Sequence, residues 1–188
     1  EWFVYLRFPG HEHAKVEDGV PMGWERKLLG EVATLNYGKA LKEENRESGQ
    51  FPVYGSSGIV GMHKASLSEG PGIIVGRKGN VGSVYWSSMG FFAIDTVYFI
   101  DSETSNLFLY YALLNTQFIN TDVAVPGLNR DLAYSRSLLI PPKALVDEFM
   151  DLVTPVHQKI DKLKQYNEKL REARDLLLPR LMTGEIKV

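Results

Sequence analysis

Arg77, Lys78 and Asn80 stand together in GRKGNVG, the run from Gly76 to Gly82. Arginine can pair with guanine or phosphate, lysine with phosphate, and asparagine with adenine or a sugar-phosphate oxygen. A second glycine run, GSSGIVG from Gly55 to Gly61, carries Ser56 and Ser57. Neither run is G-x-G-x-x-G, and neither has the Lys-Ser/Thr ending with which a P-loop grips a nucleotide and magnesium. Both also suit tight β-turns, where glycine supplies positive φ. The two readings are compatible, because a turn can carry contacts to a polyanion at its tip.

Residues for bond-making chemistry are few. None of the four histidines, His11, His13, His63 and His157, sits in an HExxH pattern, and His11-Glu12-His13 offers too few ligands for a metal. There is no cysteine and no G-x-S-x-G, so no activated nucleophile is indicated. Glu25-Arg26-Lys27 and Glu185-Ile186-Lys187 match the E-x-K end of a nuclease metal site, but such triplets are common by chance and neither has an obvious acidic partner on a strand. No metal site is expected.

Net charge of −2 over 188 residues excludes a broadly basic nucleic-acid binder. Between Gly55 and Gly90, however, Lys64, Arg77 and Lys78 face only Glu69, so a local basic patch is allowed. Apolar content of 44% supports a packed core rather than disorder. The absence of cysteine fits a cytoplasmic protein, and no apolar run reaches the roughly 18 residues of a membrane span. No signal peptide is visible. The opening at Glu1, without Met and in mid-pattern, is expected of a fragment or a processed product.

The elements that must position these loops read as follows. Glu1–Gly10 is aromatic and ends on a Pro-Gly turn signal, and His11–Pro21 reads as a linker. A strand is expected near Trp24–Leu28, followed by a short turn of helix. From Phe51 to Asp101, short β-branched and aromatic pieces alternate with Gly, Ser and Asn, the pattern of β-strands joined by tight turns. More than half of the 17 glycines lie between Gly49 and Gly90. Leu107, Tyr110, Tyr111, Leu114 and Phe118 share a face and predict a helix over Asn106–Asn120. Another strand is expected at Arg136–Ile140, before Pro141-Pro142.

After Pro142 the period changes. Phe149, Val153, Val156, Ile160, Leu163, Asn167, Leu170, Arg174, Leu177 and Leu181 step alternately four and three residues, the 3.5-residue period of a helix that pairs with another long helix. The apolar members and Asn167 are the candidate helix-pairing residues. A buried Asn there would fix register, and Arg174 can reach out along its stem; slight rotation of the helix would instead leave both in water. Pro155 and Pro179 are expected to kink it or restart it, and Gly184 stands where a helix stop belongs. Extended from Lys143 to Thr183, such a helix would measure about 60 Å.

Several pieces in order carry a resemblance. LLLPRLMTGEIKV, EWFVYLRFPG, GWERKLLGEVATL, PVYGSSGIVG, GIIVGRKGNVGSVYW and the IPP of Ile140–Pro142 resemble successive parts of the specificity subunit of type I restriction-modification systems. The resemblance spans essentially the whole chain, but with one target-recognition domain and one complete spacer helix: a half-subunit. It implies an α+β fold, a β-rich target-recognition domain with short helices over residues 21–142, followed by one long C-terminal coiled-coil helix over 143–188. Residues 1–20 would be the end of a central conserved helix and a linker.

In function it implies a non-catalytic subunit that reads one half of a bipartite double-stranded DNA target. Methylation and cleavage fall to separate modification and restriction subunits, and S-adenosylmethionine is bound by the modification subunit, with no cofactor in this chain. Ile140-Pro141-Pro142 agrees, lacking the Asn or Asp a methyltransferase motif would use. The long helix would dock the methylating subunit and pair with a second copy, giving a two-fold dimer. The resemblance identifies loops rather than contacts. By residue type and loop position the candidate DNA contacts are Ser56, Ser57, His63, Lys64, Arg77, Lys78, Asn80, Asn129 and Arg130. The rival reading is a protein-interaction module with a coiled-coil tail and no DNA role; a nuclease or hydrolase would need metal-dependent turnover by the chain alone.

Overall fold

A computed structural model describes all residues except 1, 4, 119–126 and 187–188. The chain divides into two compact units, Glu1–Asp147 and Glu148–Val188. In order, the elements of the first are β1 (Val16–Glu17), β2 (Val20–Pro21), β3 (Glu25–Leu28), α1 (Leu29–Val32), β4 (Asn36–Tyr37), β5 (Phe51–Gly55), β6 (Gly58–His63) and β7 (Gly72–Gly76). Then come β8 (Val84–Ser87), β9 (Phe92–Ala93), β10 (Val97–Ile100), α2 (Leu107–Leu114), α3 (Arg130–Tyr134) and β11 (Ser137–Ile140). The long helix α4 (Lys143–Met182) closes the series.

The centre of the first unit is an antiparallel sheet in the order β4-β10-β7-β8. Both central strands read as continuous apolar runs because both of their faces are covered. Ile73 and Val75 of β7, with Tyr98 and Ile100 of β10, join a core containing Leu29, Leu109, Leu113, Ala133 and Leu138. Ile74, Val97 and Phe99 point the other way, onto Tyr54, Phe91 and Ala93. The second face is covered by a sheet in the order β6-β5-β9, with β5 antiparallel to β6 and parallel to β9. β3 pairs with β11 across most of the unit's sequence, Glu25 opposite Ile140 and Leu28 opposite Ser137.

Short helices are capped by asparagine. Asn106 Oδ1 accepts the Leu109 N–H at 2.8 Å at the start of α2, and Asn129 Oδ1 accepts the Asp131 N–H at 2.9 Å at the start of α3. α2 is shorter than its apolar face suggests, stopping at Leu114 rather than running to Asn120. Asn115 Nδ2 donates to the Tyr111 carbonyl at 2.8 Å and Thr116 Oγ1 to that of Ala112 at 2.9 Å, satisfying carbonyls that another turn would have used. Residues 119 and 120 of the expected helix lie outside the described residues.

The first twenty residues depart most from expectation. No α-helix occurs among their described residues; turns at Trp2 and Phe3 give way to one 3-10 turn, His11–His13, and a hairpin of β1 and β2. The aromatic side chains explain why. Phe3 packs edge-on against Phe108 at 4.9 Å, and Phe8 lies 5.2 Å from Trp24, so this segment covers the domain instead of continuing a rod. The supposed linker turns tightly through Asp18 and Gly19, both with positive φ.

The second unit belongs to α4, which spans 40 residues in all. Pro155 and Pro179 lie inside it and the helix runs through both without a break, so neither proline restarts it. No residue of the helix is buried. Val156, Ile160, Leu163, Leu170, Leu177 and Leu181 of the seam are all exposed. Gly184 at φ +73° ends it, with the Glu185 N–H reaching the Arg180 carbonyl at 3.0 Å. Among the described residues no helix is long and apolar enough to cross a membrane.

Candidate nucleic-acid interface

The loop joining β7 to β8 is held by its own backbone. Gly76 donates to the Ser83 carbonyl at 2.7 Å and Gly82 to that of Gly76 at 2.9 Å. A Cβ at Gly76 would overlap the Asn80 carbonyl and the Ser83 hydroxyl, so the close approach needs glycine there. Ser83 Oγ lies 2.7 Å from the Ser56 carbonyl, which also accepts the Tyr85 hydroxyl at 3.1 Å. The Ser56 N–H in turn donates to Thr96 Oγ1 at 3.3 Å. The two glycine runs picked out in the sequence are thus neighbours, and Ser57 and Asn80 are exposed on their adjoining turns.

Arg77 and Lys78 leave this loop side by side, both backbone N–H groups donating to the Thr96 carbonyl, at 2.9 and 3.0 Å. The Leu128 N–H donates to the Arg77 carbonyl at 2.8 Å, and Lys78 bridges Gly127. That pairing carries Asn129 and Arg130 to the same place. The Arg77 guanidinium stands 5.1 Å from the centroid of the Tyr37 ring, and the Arg130 guanidinium stands 5.0 Å from the same centroid. Arg77 also lies 5.6 Å from the Tyr98 ring and Arg130 5.9 Å from that of Tyr134. An aromatic face at this range attracts a cation without neutralising it.

Tyr37 and Tyr98 are direct cross-strand partners on β4 and β10, with rings 5.1 Å apart. Tyr98 is buried and donates its hydroxyl to the Leu128 carbonyl at 3.0 Å; burial first, then Tyr37, pushes its phenol above the ordinary range. It therefore stays a donor and keeps the 127–130 segment in place. Arg77 Nη1 donates to the Asp95 carbonyl at 3.1 Å, while the Asp95 carboxylate lies 3.5 Å from Lys78 Nζ. Among the described residues no carboxylate lies within ion-pair distance of Arg77 or Arg130. Two uncompensated guanidiniums and a partly paired lysine on one surface suit a phosphate-bearing polymer.

Of the nine candidates, Arg77, Lys78, Asn129 and Arg130 are brought together, and Ser57 and Asn80 lie on the neighbouring turns. His63 is a correction. It is buried, its Nδ1 accepts the Glu47 N–H at 3.1 Å, and its ring meets Phe92 edge-on at 5.7 Å. Its work is to tie the 43–47 segment to β6. Ser56 is likewise buried and contributes backbone rather than hydroxyl. Lys64 is paired with Glu47 at 2.6 Å, and that hydrogen bond holds Glu47 below the usual carboxylate range. The Oδ1 of Asn129 is engaged as a helix cap, and the residue is otherwise exposed.

The E-x-K triplet on β3 is an exposed ion pair, Glu25 to Lys27 at 2.8 Å. The second triplet ends at Lys187, outside the described residues. Among the described residues no cluster of three or more His, Asp or Glu could hold a metal.

The family profile described as the type I restriction modification DNA specificity domain matches residues 21–133, more than half of the chain. This chain belongs to that specificity-domain family. It is 25% identical over 219 aligned positions to the type I restriction enzyme MjaIX specificity subunit of Methanocaldococcus jannaschii, covering 100% of this chain and 51% of that protein. It is 28% identical over 201 positions to the HindI specificity subunit of Haemophilus influenzae, covering 89% and 42%. Its fold is similar to the type I restriction-modification S subunit from M. genitalium, with a TM-score of 0.67, 25% identity, and coverage of 85% and 46%. The chain spans about half the length of these relatives. A β-rich specificity domain followed by a long C-terminal helix is what the observed strands and α4 amount to.

Within this specificity domain the sequence reading missed Tyr37. Its local sequence, Asn-Tyr-Gly, marks a strand end but not a cation's seat. The signal that could have found it is Gly38, whose Cβ would overlap the Ile94 carbonyl and which therefore presses β4 against the centre of the domain.

Proposed function

We propose that this chain is a DNA sequence-reading subunit of a type I restriction-modification complex. It reads one half of a bipartite double-stranded target, and it is not itself an enzyme. The observation that supports this reading most is the convergence of Arg77 and Arg130 on Tyr37, unpaired by any described carboxylate, beside Lys78 and the 55–58 turn. In this account Arg77, Lys78 and Arg130 meet the phosphate backbone, and Ser57 and Asn80, exposed on tightly braced turns, reach toward base edges.

The modification subunits dock on α4 and bring S-adenosylmethionine; the restriction subunit joins them, and the assembly acts in the cytoplasm. The exposed apolar seam of α4 pairs with a second copy of the chain, setting two recognition domains apart by a fixed length of DNA. An apolar stripe of this regularity is stable in water only against a partner.

Gel-shift titration at fixed salt tests the reading. Arg77→Ala should weaken duplex binding by about 1–3 kcal/mol if Arg77 reads a base, and less, uniformly over sequences, if it meets phosphate. Unchanged affinity removes Arg77 from the interface. Sedimentation of the full chain tests the pairing: a dimer that dissociates on dilution is expected, and a monomer at all concentrations rejects the second copy.

A further inference from the structure

We propose that Tyr37 is a positioning residue that holds Arg77 and Arg130 as one two-armed clamp for the phosphate backbone of DNA; this rests on the DNA-reading function above. Both guanidinium carbons lie about 5 Å from one ring centroid, so they are at most about 10 Å apart. Two like charges at that range repel weakly, and no described carboxylate pairs with either to offset this. The ring supplies the attraction without consuming the charge, which leaves the Arg130 N–H groups, and those of Arg77 not held by the Asp95 carbonyl, available to an outside anion.

Each arm is also fixed from behind. Arg77 is tethered through its carbonyl to Leu128 and through Nη1 to the Asp95 carbonyl. Arg130 follows Asn129, the cap of α3, in the segment that the Tyr98 hydroxyl holds at Leu128. Tyr37 joins the two arms because it is the cross-strand partner of Tyr98 and is 48% exposed at the outer edge of its sheet. A half-exposed ring that packs on Tyr98 on one side and on two arginines on the other is placed for its outward neighbours as well as for the core. The occupant is backbone phosphate and not a base, since two arms on one rigid ring fit a repeated charge rather than a particular edge.

The test uses the full 188-residue chain and a duplex of arbitrary sequence, with affinity measured over a range of KCl concentrations. Tyr37→Phe should keep the affinity within about twofold and leave the slope of log K against log salt unchanged, because the ring remains. Tyr37→Leu should lower affinity about five- to tenfold at low salt and flatten the slope by about one, as if one phosphate contact were lost. After Tyr37→Leu, adding Arg130→Gln should cost less than it does in the wild type, because the arms no longer act together. The ring is half exposed, so Leu is tolerated by the fold, and a melting curve of each variant checks this. Equal slopes for wild type and Tyr37→Leu overturn the clamp while leaving DNA reading intact. Loss with Phe as large as with Leu also overturns it, since the role would then lie in the hydroxyl. A wild-type chain with no salt-dependent duplex binding overturns both.

Discussion

The two units settle their side chains in opposite ways. In the strand-rich unit, polar loop groups are bonded to neighbouring strands and apolar residues are buried on both faces of the central sheet. In α4 the apolar residues recur just as regularly, yet every one is at least partly exposed. The first unit buries its central strands within itself and leaves two guanidiniums on its surface without a described carboxylate partner. The helix buries none of its residues and leaves Val156, Ile160, Leu163, Leu170, Leu177 and Leu181 exposed. Unpaired cation suits a polyanion, and an unpaired 3.5-residue stripe suits another helix.

Substitutions can break that contrast, and the largest effect is expected in the core. Phe91→Ala removes a fully buried ring that meets Tyr54 and Phe99 edge-on and should cost about 3–5 kcal/mol in denaturant unfolding. Leu163→Ala, an equally apolar truncation on the exposed seam, should stay within about 0.5 kcal/mol at concentrations where the chain is monomeric. It should become destabilising only where the helices pair; equal losses at all dilutions would erase the distinction between the units.

Gly76→Ala forces the β7–β8 loop away from Asn80 and Ser83 and should cost about 1–3 kcal/mol, with DNA affinity falling alongside stability. Asn129→Ala removes the cap of α3 and should cost about 1 kcal/mol, read from a thermal melt. The smallest effect belongs to Glu47→Gln. Because Lys64 lowers the Glu47 pKa in the folded chain, its contribution is present above the unfolded carboxylate value, about 4.3, and is lost as pH falls through the lower folded value. Both partners are exposed, so wild type and variant should melt nearly together at neutral pH and converge in acid.

Much of the fold was legible because its signals are local. The glycine-bounded apolar pieces became β5 to β10, and Pro142 and Gly184 bracketed α4. The helix end that the resemblance implies for the N-terminal stretch has no local signal, and there Phe3 and Phe8 pack beside Trp24 and Phe108. By residue type the sequence singles out Arg77, Lys78 and Arg130, and the fold brings them to one surface. Residue type misleads at His63, which is buried against Phe92, and passes over Tyr37, whose two arginine neighbours are far away in sequence. Long-range pairing leaves no periodic mark on either strand.

The most direct measurement of the central claim is a map of methylated DNA sites in the host with this gene intact and with it deleted. If this chain reads a DNA half-site for a methylating partner, one bipartite motif should lose its methylation on deletion and regain it on complementation. With Arg77→Ala and Arg130→Ala together, complementation should weaken or fail without changing the motif, because the lost contacts are to phosphate. An unchanged methylation map on deletion would contradict the account.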